Sequence, residues 1–241
     1  MDYRQRIYDR YATVFKDGTT KFNEDAVRRW GRAYQSYLEG WLPDDKQSAI
    51  ADLACGPGNL LFFFQEMGYT RLSGVDISPE QVVIARNVAP DVEEGDLLAF
   101  LRRHPNSFDL LTGLDIIEHF TKDEGITFLD ECYKALKPGG RLILQTPNAS
   151  SPLNGIVRYG DFTHEVCFQE DVLGRLLTLS GFRNPESREM GPVWGGYSLK
   201  SSVRFVLWRG LRMGYRLANM IETGSMGPNV WTRVFLTSAV K

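Results

Sequence analysis

The sequence has few cysteines and few histidines. Its three cysteines, Cys55, Cys132 and Cys167, are odd in number, and none of them forms the C-x-x-C spacing that zinc sites use. This usage predicts neither a disulfide framework nor a zinc knuckle, and it fits a reducing compartment. Because there are only three histidines, few residues are candidates for a proton-transferring imidazole.

Long apolar runs and an excess of one charge are also missing. No stretch reaches the roughly 18 apolar residues of a membrane span, and no signal-peptide core follows residues 1–6. The formal net charge of −2 and the pI near 6.0 argue against a nucleic-acid-binding protein with a wholly basic surface. We therefore expect a cytoplasmic protein, with one core in a chain of 241 residues that is 43% hydrophobic.

The most informative stretch is an apolar run that breaks into a glycine turn. The run begins at Ala49, turns at Gly56-Pro57-Gly58 and resumes as an apolar segment at Leu60, which predicts a strand, a tight loop and a helix. Glycine lets a ligand lie against the backbone, and the following helix offers free N–H groups. Taken alone, the turn fits a plain strand-to-helix connection equally well.

Further strands with polar ends follow this turn. A second strand ends at Asp76, about 20 residues on, where doubly wound folds bind the hydroxyls of an adenosine ribose. A third strand ends near Asp96, and a fourth spans residues 107–114. The alternation of strands and helices predicts a parallel sheet that is covered on both faces, with its polar strand ends along one edge.

These motifs, in this order, resemble the class I S-adenosylmethionine-dependent methyltransferases. Residues 52–58 are similar to the D-x-G-x-G-x-G motif of that family, residues 95–97 to its adenine-contacting turn, and residues 136–140 to the turn before its fifth strand. One departure is Ala54, where the family usually has glycine. A nicotinamide-dependent Rossmann enzyme is the rival interpretation, but it needs a third glycine where this chain has Phe62-Phe63.

The resemblance extends over residues 47–240 and implies a fold and a cofactor. The implied fold is α/β, a doubly wound, mostly parallel seven-stranded sheet whose last strand is antiparallel. It implies a helical cap over residues 1–46, an S-adenosylmethionine-binding domain over 47–241, a substrate-roofing segment at 147–170 and a helical insertion at 190–229. The implied cofactor-binding residues are Asp52, Ala54, Cys55, Gly56, Gly58, Asp76, Ile77, Gly95, Asp96, Leu97 and Leu114.

Aromatic residues are concentrated before the first strand of the sheet. Tyr8, Tyr11 and Phe15 have near-helical spacing, and Asn23 is a suitable N-cap for a helix from Glu24 to about Gly40. That helix carries the aromatic residues Trp30, Tyr34 and Tyr37, which either line a substrate pocket or pack on the sheet.

The catalytic candidates are histidines and neighbouring acids. Residues 115–119 resemble the D/E-x-x-E-H segment of ubiquinone-biosynthesis O-methyltransferases, so His119 contacts substrate or has a structural role. His164 is the preferred general base, because Asp161 or Glu165 could orient its ring. No metal site is predicted, although these last three residues offer ligands for an alternative, metal-dependent enzyme.

The segment 161–165 is similar to methyltransferases of bacterial cell-surface polysaccharide and O-antigen pathways. This resemblance implies a hydroxyl of a saccharide or lipid-linked glycan as methyl acceptor. Two alternatives remain open. One is a methyltransferase for a small phenol, quinone precursor or amine, and the other is a cofactor-binding regulatory protein without catalysis.

A basic amphipathic helix is predicted at residues 201–222, broken or kinked near Gly210 and Gly214. It carries four arginines among apolar residues, a pattern that fits peripheral contact with the inner face of a membrane. The alternatives are a homodimer contact and packing on the core.

Overall fold

In the computed structural model, which describes residues 3–15, 21–195 and 199–241, a seven-stranded sheet forms the centre of the molecule. The strand order is β3-β2-β1-β4-β5-β7-β6, and β7 is antiparallel to both of its neighbours. This is the α/β, doubly wound fold that the sequence predicts. The strands are β1 (Ala49–Leu53), β2 (Arg71–Asp76), β3 (Val92–Glu94), β4 (Phe108–Leu114), β5 (Leu136–Pro147), β6 (Arg183–Glu189) and β7 (Val234–Val240).

Ten α-helices are found in the described part of the chain, together with one 3₁₀ turn at Ile117–His119. The helices are α1 (Tyr3–Tyr8), α2 (Tyr11–Phe15), α3 (Glu24–Tyr37), α4 (Asn59–Glu66), α5 (Pro79–Ala85), α6 (Leu97–Arg103), α7 (Lys122–Ala135), α8 (Asn154–Arg158), α9 (Glu170–Leu179) and α10 (Leu199–Thr223). None of the helices described is long and apolar enough to cross a membrane.

The core lies on both faces of the sheet, because the central strands are buried on both sides. Every residue of β1 is buried, as expected for an inner parallel strand. One face packs against α6, α7 and α9 through residues such as Phe128 and Leu173, and the other against α3 and α4 through residues such as Tyr34 and Phe64.

The strand order changes direction between β1 and β4, which pair in parallel. Doubly wound sheets bind ligands in the crevice outside the carboxyl ends of the strands at this switch point. The end of β6 and the start of β7 lie at the same edge of the sheet. Pro147 at the end of β5 pairs with Val234 at the start of β7, and Glu189 at the end of β6 pairs with Phe235.

The local signals around helix ends are partly confirmed. The Asn23 side chain caps α3 by accepting a hydrogen bond from Ala26 N at 3.0 Å. Ser78 and Pro79 stand at the start of α5, where serine and proline are common, but the Ser78 side chain makes no capping bond. The predicted break in the basic helix is wrong, because α10 is one continuous helix of 25 residues through Gly210 and Gly214.

Candidate active site

A cavity of about 550 Å³ opens at the carboxyl edge of the sheet, between the strand ends and the N-terminal helices. It brings together the loops after β1, β2, β3 and β4. Of the predicted cofactor-binding residues, all except Gly58 line it. The remaining lining residues come mainly from α1 to α3 and from the segment 115–124.

The glycine turn takes backbone conformations that only small residues adopt easily. Gly56 has a φ of 53° and Gly58 a φ of 89°, both in the left-handed region. A Cβ on Gly58 would lie 3.3 Å from the Cα of Ala85. Gly58 therefore allows α4 and α5 to approach each other, and this packing explains its place outside the cavity lining.

Two carboxylates lie in the part of the cavity that the predicted cofactor-binding residues line, called here the cofactor half. Asp76 accepts hydrogen bonds from Gly56 N and Ser78 N, each at 2.8 Å, and burial raises its pKa despite these bonds. Asp52 is buried at the end of β1, where burial raises its pKa to about 7 while Thr112 donates to it at 2.8 Å. The loop after β1 is thus held to the end of β2 by the Asp76 carboxylate.

The cavity also contains buried polar atoms that no described residue satisfies. Ser78 Oγ and Gln81 Oε1 both belong to residues of the lining, and neither has a hydrogen-bond partner in the described chain. Buried polar groups are normally paired, so unpaired ones in a cavity suit a polar ligand. The residues therefore fit an adenosine-type cofactor. The sequence analysis identified neither side chain as part of the site.

Aromatic rings from the N-terminal helices cover the other half of the cavity. Tyr8, Tyr11, Trp30 and Tyr34 line it, and the Trp30 and Tyr34 ring centroids are 3.8 Å apart. Tyr34 is also part of the buried core, so both alternatives for these aromatics, pocket lining and packing, apply. Tyr34 Oη donates to Gln145, whose amide in turn donates to Asp115 at 2.8 Å.

No described residue of the predicted roof at 147–170 lines the cavity. The segment supports the N-terminal helices instead. Tyr11 donates to Asp161 at 3.1 Å, and Tyr3 contacts Phe162 edge to face. The segment also contacts the cavity wall directly, through Thr163 and His119, and its role as a roof over the substrate stays a prediction.

His119 is the histidine that lines the cavity. Its Nδ1 is 2.7 Å from Thr163 Oγ1, and Thr163 Oγ1 is 2.7 Å from Asp161 Oδ1. Thr163 is fully buried, and its backbone N–H also donates to Asp161 at 2.9 Å. Two segments 44 residues apart thus meet in a chain that runs from imidazole to hydroxyl to carboxylate.

The hydrogen-bond chain determines the tautomer of His119. Burial opposes ionisation of Asp161, but hydrogen bonds from Thr163 and Tyr11 hold its pKa below the ordinary value, so it is an ionised acceptor. Thr163 must donate to that carboxylate, and it therefore accepts from Nδ1–H of His119. Burial lowers the pKa of His119 to about 4. At neutral pH the ring is uncharged and Nε2 carries the lone pair.

The other two predicted catalytic residues have different surroundings. The ring of His164 lies edge-on to that of His119 with centroids 4.8 Å apart, and it is not part of the cavity lining. Glu165 accepts from Tyr3 and lies 3.5 Å from Arg4. The hypothesis that Asp161 or Glu165 orients His164 is therefore wrong, because both acids bind elsewhere and His164 Nδ1 has no partner among the described residues.

Glu118 lies beside the two histidines. It is fully buried, Thr146 donates to its Oε2 at 3.0 Å, and its Oε1 has no partner in the described chain. Burial raises the pKa of this carboxyl well above its ordinary value. Ligand atoms of Glu118, His119 and His164 lie within 4.8 Å of one another, a grouping that could hold a metal ion. This differs from the predicted alternative, which used Asp161 and Glu165.

Comparison with known proteins agrees with this architecture. Residues 50–140 match the family model of a methyltransferase domain. The chain is 32% identical over 121 residues to a trans-aconitate 2-methyltransferase of Azoarcus sp., and 33% identical over 118 residues to a ubiquinone biosynthesis O-methyltransferase of Idiomarina loihiensis. These matches cover 48% and 45% of this chain, and 46% of each relative, so the chain spans about half the length of the relatives it matches.

The similarity of fold extends over nearly the whole chain. A crystal structure of an S-adenosylmethionine-dependent methyltransferase from Archaeoglobus fulgidus superposes with a TM-score of 0.66 at 20% identity, covering 96% of this chain and all of that one. The cofactor motifs, their position at the switch point of the sheet and the matched family model agree. Residues 50–140 therefore match a methyltransferase domain, and the chain has the fold seen in S-adenosylmethionine-dependent methyltransferases.

Proposed function

We propose that this protein transfers a methyl group from S-adenosylmethionine to a hydroxyl group of an uncharged acceptor, and that His119 accepts the hydroxyl proton. The observation that carries the proposal is the hydrogen-bond chain from His119 through Thr163 to Asp161 at the wall of the cavity. It gives a neutral imidazole next to the cofactor half, with its Nδ1 proton held by Thr163.

The cofactor supplies an activated methyl group on a sulfonium, so the protein's main task is to position the acceptor. Holding reactants in line can contribute about 7–11 kcal/mol. In this chain Asp76, Gly56 and Asp96 are suited to the adenosine portion, with Ser78 and Gln81 as further polar contacts. The aromatic wall formed by Tyr8, Tyr11, Trp30 and Tyr34 orients the acceptor and excludes water.

The role of His119 follows from its surroundings. An attacking hydroxyl loses its proton, and a positioned base typically contributes about 10²–10⁴-fold to the rate. Nε2 of His119 accepts the proton, and Asp161 stabilises the resulting imidazolium through Thr163. Thr163 and Asp161 act as positioning residues, since they act through His119. His164 remains the alternative base, although its ring is not part of the cavity lining and lies 4.8 Å, centroid to centroid, from that of His119.

The charge of the lining favours an uncharged acceptor. Among the described lining residues the carboxyl groups are those of Asp52, Asp76, Asp96, Asp115 and Glu124, whereas Arg4 is the one cation. The guanidinium of Arg4 is already paired with Glu124 at 3.0 Å and Glu165 at 3.5 Å. Such a cavity attracts the positive sulfonium and repels a carboxylate acceptor such as trans-aconitate.

Within the uncharged class we propose a saccharide hydroxyl, free or on a lipid-linked glycan. Aromatic rings with hydroxyl groups, here Tyr8 and Tyr11, present a flat apolar face and a polar edge, as a sugar ring does. A phenol or quinone precursor fits the same wall, and the relative from Idiomarina loihiensis is named as a ubiquinone biosynthesis enzyme.

The test is an acceptor screen with methyl-labelled S-adenosylmethionine, read by mass spectrometry for a methyl-sized gain. Neutral saccharides, lipid-linked oligosaccharides, phenols, amines and carboxylic acids form the separate arms. Transfer to a saccharide supports the full proposal. Transfer to a phenol is consistent with His119 as the base but replaces the saccharide by a phenol as acceptor. Methylation of carboxylic acids alone overturns the charge argument. Cofactor binding without transfer to any acceptor favours the non-catalytic alternative.

A further inference from the structure

We propose that the outer surface of α10 binds the anionic face of a membrane. Among the residues that the structure describes, the helix packs on the body of the protein through one face. Trp208 and Arg212 both donate to Glu189, at 3.3 and 3.1 Å, and Tyr215 stacks on Trp231 with ring centroids 5.6 Å apart. At about 100° per residue these three side chains lie on one face of the helix.

The opposite face is apolar and exposed. At the same helical spacing it carries a row of residues, called here the outer stripe, whose exposed fractions run from 41% at Met220 to 82% at Leu199. Isolated apolar residues on a surface are ordinary, whereas a contiguous row marks an interaction site. The outer stripe consists of Leu199, Val203, Val206, Leu207, Met213, Leu217, Met220 and Ile221.

Basic residues lie along both edges of the outer stripe. Lys200 is exposed on one edge and Arg209 on the other, with Arg216 half-buried beside Arg209 and the exposed Arg204 nearer the packed face. Between residues 199 and 223 the sequence contains one acid, Glu222. An apolar face bordered by basic residues is the pattern of helices that lie in the interface of an anionic membrane.

A second copy of the chain fits this surface less well. Pairing two outer stripes would bring basic edges together, with only Glu222 to offset them in each helix. Like charges placed opposite one another oppose association, whereas an anionic leaflet complements them. The observed charges therefore favour a lipid surface over a homodimer.

The position of α10 gives the contact a consequence. The helix lies in the connection between Glu189 and Val234, which the strand pairing places at the carboxyl edge of the sheet. The cavity opens at this same edge. With α10 lying about 37 Å along the membrane surface, an acceptor anchored in the leaflet would meet the protein on the cavity side.

Flotation with vesicles tests the proposal without methyl transfer, so its outcome is independent of the proposed function. We expect binding to vesicles of phosphatidylcholine and phosphatidylglycerol at low salt, none to pure phosphatidylcholine, and release at high salt. Leu207→Glu with Leu217→Glu should abolish binding, and Lys200→Glu with Arg209→Glu should weaken it by about tenfold or more.

A matched pair on α9, Arg175→Glu with Leu179→Glu, removes the same kinds of exposed side chain elsewhere and should leave binding unchanged. Equal loss in this control would overturn the proposal, as would protein that stays unbound at low salt. Light scattering in solution adds the last outcome. A dimer that Leu217→Glu converts to monomer would assign the outer stripe to a second copy instead.

Discussion

At the scale of single residues, Ala54 holds a backbone conformation that does not suit it. Its φ of 57° lies in the left-handed region, which costs an L-residue about 1–2 kcal/mol. Glycine removes this strain, but its greater conformational entropy in the unfolded chain lowers stability by about 0.4–1 kcal/mol. We predict that Ala54→Gly raises the free energy of unfolding by about 0.5–1 kcal/mol, the balance of these two effects.

Urea denaturation measures this change, and Ala99→Gly inside α6 is the control, because it should lower stability by about 1 kcal/mol. An Ala54→Gly protein less stable than the wild type would mean that strain at this turn is relieved in another way.

Asp76 is the residue on which cofactor binding should depend most. Its carboxylate lines the cavity beside the glycine turn, and a hydrogen bond to a charged group is worth about 1.5–3 kcal/mol. Asp76→Ala should therefore weaken S-adenosylmethionine binding by at least about tenfold in calorimetry. The exposed Asp44→Ala should bind as the wild type does. Equal affinities in all three proteins would exclude Asp76 from the site.

The residues of the cofactor half could be predicted because each follows a local signal, such as a glycine turn or an acid at a strand end. Thr163, Ser78 and Gln81 could not. Thr163 matters through a contact with His119, 44 residues away, and the other two matter because their polar atoms are buried without partners. No local pattern records such tertiary contacts.

At the scale of elements, the glycines of α10 offer a test of its continuity. Gly210 and Gly214 lie in an unbroken helix, and a Cβ built on either meets no atom within 4 Å. We predict that Gly210→Ala and Gly214→Ala each raise the free energy of unfolding by about 1 kcal/mol, since alanine favours the helix.

Gly31→Ala in α3 is the control in denaturation experiments. There a Cβ would lie 2.9 Å from the ring of Phe63, so stability should fall. Loss of stability in the α10 variants would indicate that the helix is kinked after all, as the glycines alone suggested.

The strands were easier to predict than the insertion. The second strand was placed to end at Asp76, as β2 does, because apolar runs and acidic ends are local and regular. The break in α10 was predicted from glycine propensity, a penalty of about 1 kcal/mol per residue that packing through Trp208, Arg212 and Tyr215 can outweigh.

For the whole molecule, burial of His119 couples folding to pH. Burial lowers the pKa of its ring to about 4 when folded, against about 6.5 when unfolded. Between these two pH values the unfolded state binds more protons than the folded state. The contribution of the neutral His119 ring to stability is therefore complete above the unfolded pKa and is lost as pH falls towards 4.

The His119→Gln variant lacks this contribution. Its stability deficit relative to the wild type should therefore shrink by about 1–2 kcal/mol between pH 7 and pH 5, measured by urea denaturation at each pH. A deficit that does not change with pH would show that the ring titrates normally.

The central claim is that a methyl-transfer site operates with His119 as its base, and turnover of histidine variants tests it most directly. The acceptor is the one identified by the screen, and calorimetry first establishes that each variant binds S-adenosylmethionine normally. His119→Gln should lose about 10²-fold or more in turnover. Thr163→Val should lose less and shift the pH profile, since it acts through the ring.

His164→Gln should stay within about tenfold of the wild type, because its ring lies outside the cavity lining. Chelator added to the same assay tests whether Glu118, His119 and His164 hold a metal ion. If His119 acts as a base without a metal, chelator should leave turnover unchanged. The account is contradicted if His164→Gln is inactive while His119→Gln turns over at the wild-type rate.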